Sequence, residues 1–185
     1  MNYDFNFSVI WRNWELLAQG LGLGLFLALV SIAIGCGIGL LAAFGMLSRH
    51  RVLRWIAVAY VSAIRNTPIL VLILFCYIAL PQLGIALDKI PSFIFTLSIY
   101  AGAYLAEVFR SGLVALPKGL REAGLAIGLT ELKIKIHIII PVMLRNVLPS
   151  LSNNFISLFK DTSLAAAIAV PELTFYARKI NVESF

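Results

Sequence analysis

Ionisable and polar residues occur inside long apolar runs of this sequence, and they are the first candidates for chemistry. Charged groups are costly in lipid, so they usually face a cavity, a partner or a transport path. Three runs contain such residues, and we expect them to line a substrate pathway: Arg65, Asn66 and Thr67; Glu107 and Arg110; and Lys160, Asp161, Thr162 and Ser163.

Two of these groups have spacings that predict contact. Glu107 and Arg110 are three residues apart and therefore share one face of a helix. Arg65 lies ten residues after Trp55, and Glu107 lies ten before Pro117. At the rise of an α-helix, both are roughly 15 Å from the ends of their helices, so they could pair across neighbouring spans. A structural ion pair and a role in gating both remain open.

The segment 160–163 interrupts an apolar run that continues at 164–168. A helix that breaks at a charged pair and then restarts is typical of discontinuous helices that bind substrates in transporters. The Asp161 carboxylate suits an ammonium group, while hydroxyls and freed backbone amides suit a carboxylate, so a zwitterionic amino acid would fit. The acidic residues favour a cationic amino acid and the basic ones an acidic amino acid, and both remain open.

Composition identifies the elements that position these residues. Hydrophobic residues make up 61% of the chain and charged residues 13%, with a mean hydropathy of +0.93. Soluble domains have about 45–50% apolar and about 25% charged residues. No charge occurs from residue 16 to 48, longer than a helix needs to cross a bilayer. We predict an all-α integral membrane protein, a single domain over 1–185 with spans at 17–46, 55–80, 91–116 and 136–159.

Basic residues predict the orientation of these spans. The first connection carries Arg49, Arg51 and Arg54, and the connection 118–135 carries four basic residues against two acids. By the positive-inside rule, both connections are cytoplasmic and the N-terminus is periplasmic. The clusters flank apolar runs, a pattern that does not point to nucleic acid. Glycines at spacings of four in the first span predict close helix packing: Gly20, Gly22, Gly24, Gly35, Gly37 and Gly39.

No catalytic or metal-binding pattern is evident. Cys36 and Cys76 lie in apolar runs without metal-ligand spacing. The sequence has no Walker A motif, no Ser/His arrangement and no paired catalytic carboxylates. We therefore expect no enzyme activity, no catalytic residue, no metal and no cofactor in this chain. The connection 118–135 predicts instead an amphipathic helix at the membrane surface that could dock a soluble partner.

Four motifs in order resemble the permease subunits of bacterial ATP-binding-cassette (ABC) importers for polar amino acids. The loop 118–135 is similar to the family's EAA loop, with Glu122, Ala123 and Gly128 followed by Ile138 and Pro141 at the family's spacing. It departs from that pattern with glycine at 124 and isoleucine at 140, where alanine and leucine are usual. The segments 65–68, 103–112 and 160–164 match the amino-acid branch.

The resemblance implies the type I importer fold in the bacterial inner membrane, with a fifth span after 170–173 that these 185 residues do not include. It implies that the loop couples to an ABC ATPase, which holds ATP and Mg, through Arg121, Glu122, Ala123, Gly124 and Gly128. The other implied partners are a second permease subunit in a homo- or heterodimer, a periplasmic binding protein, an amino-acid substrate and membrane lipid. A passive channel and a non-transporting scaffold are the alternatives.

Overall fold

The computed structural model describes residues 8–184, and in this part of the chain all regular secondary structure is helical, without a strand. The helices are α1 (Ser8–Arg12), α2 (Trp14–Met46), α3 (Arg51–Arg65), α4 (Ile69–Leu74), α5 (Lys89–Val114), α6 (Gly119–Ala126), α7 (Glu131–Ile134), α8 (Ile140–Asp161) and α9 (Leu173–Ser184). Two π-helical turns, Phe75–Ala79 and Lys135–Ile139, and two 3-10 segments, Leu80–Leu83 and Thr162–Ile168, continue the helices beside them.

Three helical stretches are long and apolar enough to cross a membrane: Trp14–Met46, Lys89–Val114 and Glu131–Ile168. A fourth is present if Arg51–Arg65 and Ile69–Leu83 together count as one broken span. These stretches overlap the ranges 17–46, 55–80, 91–116 and 136–159, and α5 ends two residues before the third range does. The second expected span, 55–80, is interrupted rather than continuous.

The interruption at 66–68 has a local cause. The Asn66 side chain donates to the Ser62 carbonyl at 2.7 Å, and the Thr67 hydroxyl donates to the Ala63 carbonyl at 2.8 Å. These side-chain bonds add donors to carbonyls in the last turn of α3, where backbone partners run out, and the Ser62 carbonyl also accepts the Asn66 N–H at 3.2 Å. Pro68 then has no backbone N–H to continue the ladder, so α3 ends and α4 begins afresh.

The chain divides into two compact units, with boundaries that fall inside α2, α5 and α8. The first comprises residues 8–31, 69–97 and 158–184, and the second comprises Ile32–Pro68 and Ser98–Ser157. In the first unit, a Cβ on Gly20 would lie 2.8 Å from the backbone of Glu172 and Leu173, so α2 approaches the start of α9 closely. The Lys89 ammonium donates to the Ala169 carbonyl at 2.9 Å.

The second unit is built on close contact between α2 and α5. A Cβ on Gly35 would lie 2.7 Å from the Ala101 Cβ, and one on Gly39 would lie 3.0 Å from the backbone nitrogen of Ala106. The Tyr60 hydroxyl donates to the Ile99 carbonyl at 2.6 Å, which ties α3 to α5. The small residues therefore allow the backbones to approach, as their spacing predicts.

Candidate substrate and coupling sites

A cluster of ionised side chains lies in the second unit. The Nε and Nη2 atoms of Arg110 donate to one oxygen of Glu107, at 2.9 and 2.7 Å. The Arg65 Nη1 atom lies 3.7 Å from the other Glu107 oxygen, which confirms the pairing predicted from depth along the helices. The Arg65 guanidinium also lies 5.2 Å from the centre of the Tyr104 ring, within cation–π range.

The cluster is open and carries a net positive charge. The side chains of Arg65, Glu107 and Arg110 are 42%, 27% and 38% exposed. Two guanidinium groups share one carboxylate, and Arg110 makes both of the short bonds to it. Arg65 makes only the longer contact, so its donors are the more available for an anionic group. The Asn66 amide and the Thr67 hydroxyl donate to backbone carbonyls of α3, so the oxygen atoms of these two side chains remain available as acceptors.

The second group of candidate residues, 160–163, lies in the first unit. Lys160, Thr162 and Ser163 line a cavity of about 280 Å³, whereas Asp161 does not line it. The chain does not break and restart here as the sequence suggested. It tightens from α8 into the 3-10 segment Thr162–Ile168, which keeps its backbone groups paired, and ends at Ala169 with a left-handed φ of 55°.

Glu172 is a polar residue of this cavity to which the sequence reasoning gave no role. It is only 2% exposed, and its carboxylate accepts the backbone N–H groups of Thr174 and Phe175, each at 2.8 Å. It therefore caps the first turn of α9, where N–H groups lack helical partners. An acidic residue directly before a helix was the available signal, since carboxylates are favoured at helix N-termini.

The connection 118–135 folds as a helical hairpin of α6 and α7. Gly128 has a φ of +80° and ends α6 in a Schellman motif, with bonds from Gly128 N to Leu125 O and from Leu129 N to Gly124 O, both 3.0 Å. The Thr130 hydroxyl accepts from the Lys133 N–H at 3.4 Å at the start of α7. Residues of the hairpin itself therefore end α6 and begin α7.

An ion pair and one apolar contact hold the hairpin closed. Arg121 of α6 donates to both carboxylate oxygens of Glu131 in α7, through Nε at 3.2 Å and through Nη2. The hydrogen bond with the Glu131 carboxylate raises the pKa of Arg121 above its ordinary value. Gly124 is buried, and a Cβ there would lie 2.8 Å from the Ile134 Cγ1 atom.

The five residues expected to couple to an ATPase divide into two kinds. Arg121, Glu122, Ala123 and Gly128 are exposed, whereas Gly124 is buried against its own chain. Residue 124 is a glycine, where the family that this chain resembles usually has alanine. Because glycine has no side chain, α6 can lie against the bulky Ile134. A Cβ at residue 128 would meet nothing within 4 Å, so the positive φ rather than crowding favours glycine there.

Comparisons with known proteins agree with this architecture. A family model described as a binding-protein-dependent transport system inner membrane component matches residues 35–183. The L-cystine transport system permease protein TcyB of Bacillus subtilis (strain 168) is 39% identical over 171 residues, covering 92% of this chain and 73% of TcyB. The glutamine transport system permease protein GlnP of Escherichia coli (strain K12) is 37% identical over 183 residues, covering 98% and 84% of the two chains.

Solved structures are similar as well. An amino acid ABC transporter crystallised with histidines is 30% identical, with a TM-score of 0.85 over 97% of this chain and 84% of that chain. An inward-facing MetNI methionine ABC transporter is 21% identical, with a TM-score of 0.75 over 88% and 79% of the two chains. At 21% identity, the similarity to MetNI concerns the fold alone.

Proposed function

This chain belongs to the family of inner-membrane components of binding-protein-dependent transport systems, and from that premise we propose a specific role for it. It is an ABC importer permease with the type I fold, and its proposed cargo is an amino acid. The names of its relatives support this cargo, since they refer to L-cystine, glutamine and arginine. These molecules share an α-ammonium and an α-carboxylate group, so we propose that the pathway recognises the zwitterionic head.

The proposed pathway uses the two groups of polar residues, each in its own unit. In the second unit, Arg65 supplies guanidinium donors for a carboxylate, while Glu107 is already held by Arg110. In the first unit, Ser163 and Lys160 line a cavity, and Asp161 is half-buried beside them. Each group by itself offers charges of both signs, as recognition of a zwitterion requires.

The observation that carries the coupling proposal is the exposed face of α6. Glu122 and Ala123 point away from the rest of the chain, while their neighbour Gly124 seats the helix on Ile134. A short, internally capped helix with an exposed small residue is suited to fit a groove on another protein. We propose that this partner is an ABC ATPase that binds ATP and Mg and performs the hydrolysis, so this chain needs no cofactor of its own.

The remaining partners and the orientation are part of the same proposal. Basic residues beside α3 and in the hairpin support the proposal that these segments are cytoplasmic and that the N-terminus is periplasmic. A periplasmic binding protein then delivers substrate to the outer face, and a second permease subunit, identical or related, completes the pathway. Rocking of the two subunits, driven by the ATPases, moves the amino acid inward.

Co-purification tests the coupling proposal. The chain is expressed with the ABC ATPase encoded beside it, unchanged and with Ala123→Asp. A carboxylate buried at a docking face without a partner is strongly unfavourable, so capture of the ATPase should fall at least about tenfold, which corresponds to about 1.4 kcal/mol. The matched variant Ala177→Asp, at an exposed position of α9, should leave capture unchanged. Equal capture by all three chains would refute docking through α6.

Uptake assays separate an importer from a passive channel. Membrane vesicles that contain the assembled transporter should accumulate radiolabelled amino acid only with ATP and the binding protein. Flux at the same rate without ATP, down the concentration gradient alone, would favour a channel.

A further inference from the structure

A large cavity in the second unit lies where several helices end. It has a volume of about 930 Å³ and is lined by the end of α2, the loop to α3, the end of α5 and the hairpin. By length and composition α2 and α5 are suited to cross a membrane, and we expect their ends beside this cavity to reach the lipid headgroups. The volume falls within the range of about 300–1,000 Å³ that is usual for pockets binding small molecules.

The polar part of this cavity is cationic. Arg49, Arg121 and Lys135 line it together with one acid, Glu131, which leaves two positive charges in excess. Arg121 is engaged with Glu131 across the hairpin. Within residues 8–184, neither Arg49 nor Lys135 takes part in an ion pair, so both are available for an anion.

The rest of the cavity is hydrocarbon. Its apolar walls are formed by Leu41, Phe44, Leu53, Leu113, Ile134 and Ile139. Leu41 is 75% exposed and Leu53 is 50% exposed, so these walls are accessible from outside the chain. The Lys135 ammonium lies 5.6 Å from the centre of the Phe44 ring, which places a positive charge directly beside an apolar wall.

We propose that this cavity binds one anionic phospholipid. Arg49 and Lys135 contact the phosphate of the headgroup, and an acyl chain lies along the leucine and phenylalanine walls. Two features together select this occupant: the excess of positive charge at headgroup level and the adjoining apolar surface. A free phosphate ion would use the cations but leave the walls uncovered. A zwitterionic lipid such as phosphatidylcholine has a phosphate too, but its ammonium group cancels that charge and leaves the positive excess of the cavity uncompensated.

Native mass spectrometry of the 185-residue chain in neutral detergent tests the proposal. Dioleoyl phosphatidylglycerol is titrated against dioleoyl phosphatidylcholine, which has the same acyl chains. The unchanged chain should retain one phosphatidylglycerol in clear preference. The double variant Arg49→Ala/Lys135→Ala should bind it about 30-fold more weakly, given the usual contribution of each basic residue near an anionic headgroup.

The matched control is Arg51→Ala/Lys133→Ala. It removes two positive charges from the same two segments, at exposed positions that do not line the cavity. Its phosphatidylglycerol affinity should stay near that of the unchanged chain. An equal loss in both double variants would mean attraction to general surface charge and would overturn the proposal.

Two measurements on the unchanged chain keep the proposal testable even if a variant fails to fold. Retention of phosphatidylcholine as strong as that of phosphatidylglycerol would refute a site for anionic lipid. Displacement of phosphatidylglycerol by inorganic phosphate at equal concentration would show that the walls contribute nothing and would refute a lipid occupant. Retention of phosphatidylglycerol against both competitors supports it.

Discussion

The contact between α2 and α5 in the second unit predicts that one added methyl group has opposite effects at two positions of α2. A Cβ at residue 39 would lie 3.0 Å from the Ala106 nitrogen and 3.0 Å from the Gly102 carbonyl oxygen. A Cβ at Gly37 would meet nothing within 4 Å. The obstacles at Gly39 are two backbone atoms and the Leu105 Cβ, and none of these can rotate away as the end of a side chain can. Gly39→Ala should therefore push the helices apart, and Gly37→Ala should not.

The magnitude follows from two opposing contributions. Replacing glycine by alanine in a helix stabilises it by up to about 1 kcal/mol, and this applies to both variants. Overpacking of a close contact costs about 1–3 kcal/mol, and this applies to Gly39→Ala alone. The difference between the two variants removes the helix-propensity contribution. It should equal the steric cost, about 1–3 kcal/mol, with Gly39→Ala the less stable.

The assay is equilibrium unfolding of the purified chain in mild detergent, by titration with sodium dodecyl sulfate and far-ultraviolet circular dichroism. Gly37→Ala should unfold at the same fraction of dodecyl sulfate as the unchanged chain, or at a slightly higher one. Gly39→Ala should unfold earlier. Identical midpoints for the two variants, or an earlier midpoint for Gly37→Ala, would refute the inference that α5 lies against this face of α2.

The same unfolding assay tests two further predictions. Gly128→Ala should destabilise the hairpin by about 1–2 kcal/mol because alanine is strained at positive φ. Faster hydrogen exchange of the α6 amides would report this loss. The control Gly119→Ala, where an added Cβ meets open space and φ is ordinary, should show no such loss. Glu172→Ala should cost about 1–2 kcal/mol by removing the cap of α9. Glu183→Ala, which breaks only an exposed pair with Lys179, should cost well under about 1 kcal/mol, and equal losses from the two glutamate variants would contradict the capping argument.

Much of the architecture could be predicted from the sequence because membrane helices follow simple geometric rules. The charge-free run before residue 48 predicts α2, and the fixed rise of a helix placed Arg65 and Glu107 at one depth, where the structure pairs them. Spacing also separates the glycines of α2. Gly35 and Gly39, four apart, face α5, while Gly37, two residues from each, points away. In a helix with 3.6 residues per turn, residues four apart lie on the same face, and residues two apart lie on nearly opposite faces.

Other features depend on contacts that spacing does not encode. The close approach of Gly20 in α2 to the backbone of Glu172 and Leu173 joins residues that are far apart in sequence. The segment 160–163 reads as a broken helix because charged residues rarely occur within spans. The chain instead accommodates it by a tighter winding, which satisfies the backbone locally. Such choices depend on tertiary surroundings.

The hairpin gives the proposed coupling a physical basis. If an ATPase pulls on the exposed Glu122 and Ala123, the force reaches the rest of the chain through the next residue, Gly124, and through the Arg121–Glu131 ion pair. Both contacts end on the segment that leads directly into α8. The exposed ion pair is worth little in stability, but the contact of Gly124 with Ile134 is close-packed and resists compression. We therefore propose that α6 moves together with the start of α8, so that a displacement at the docking face would displace a span.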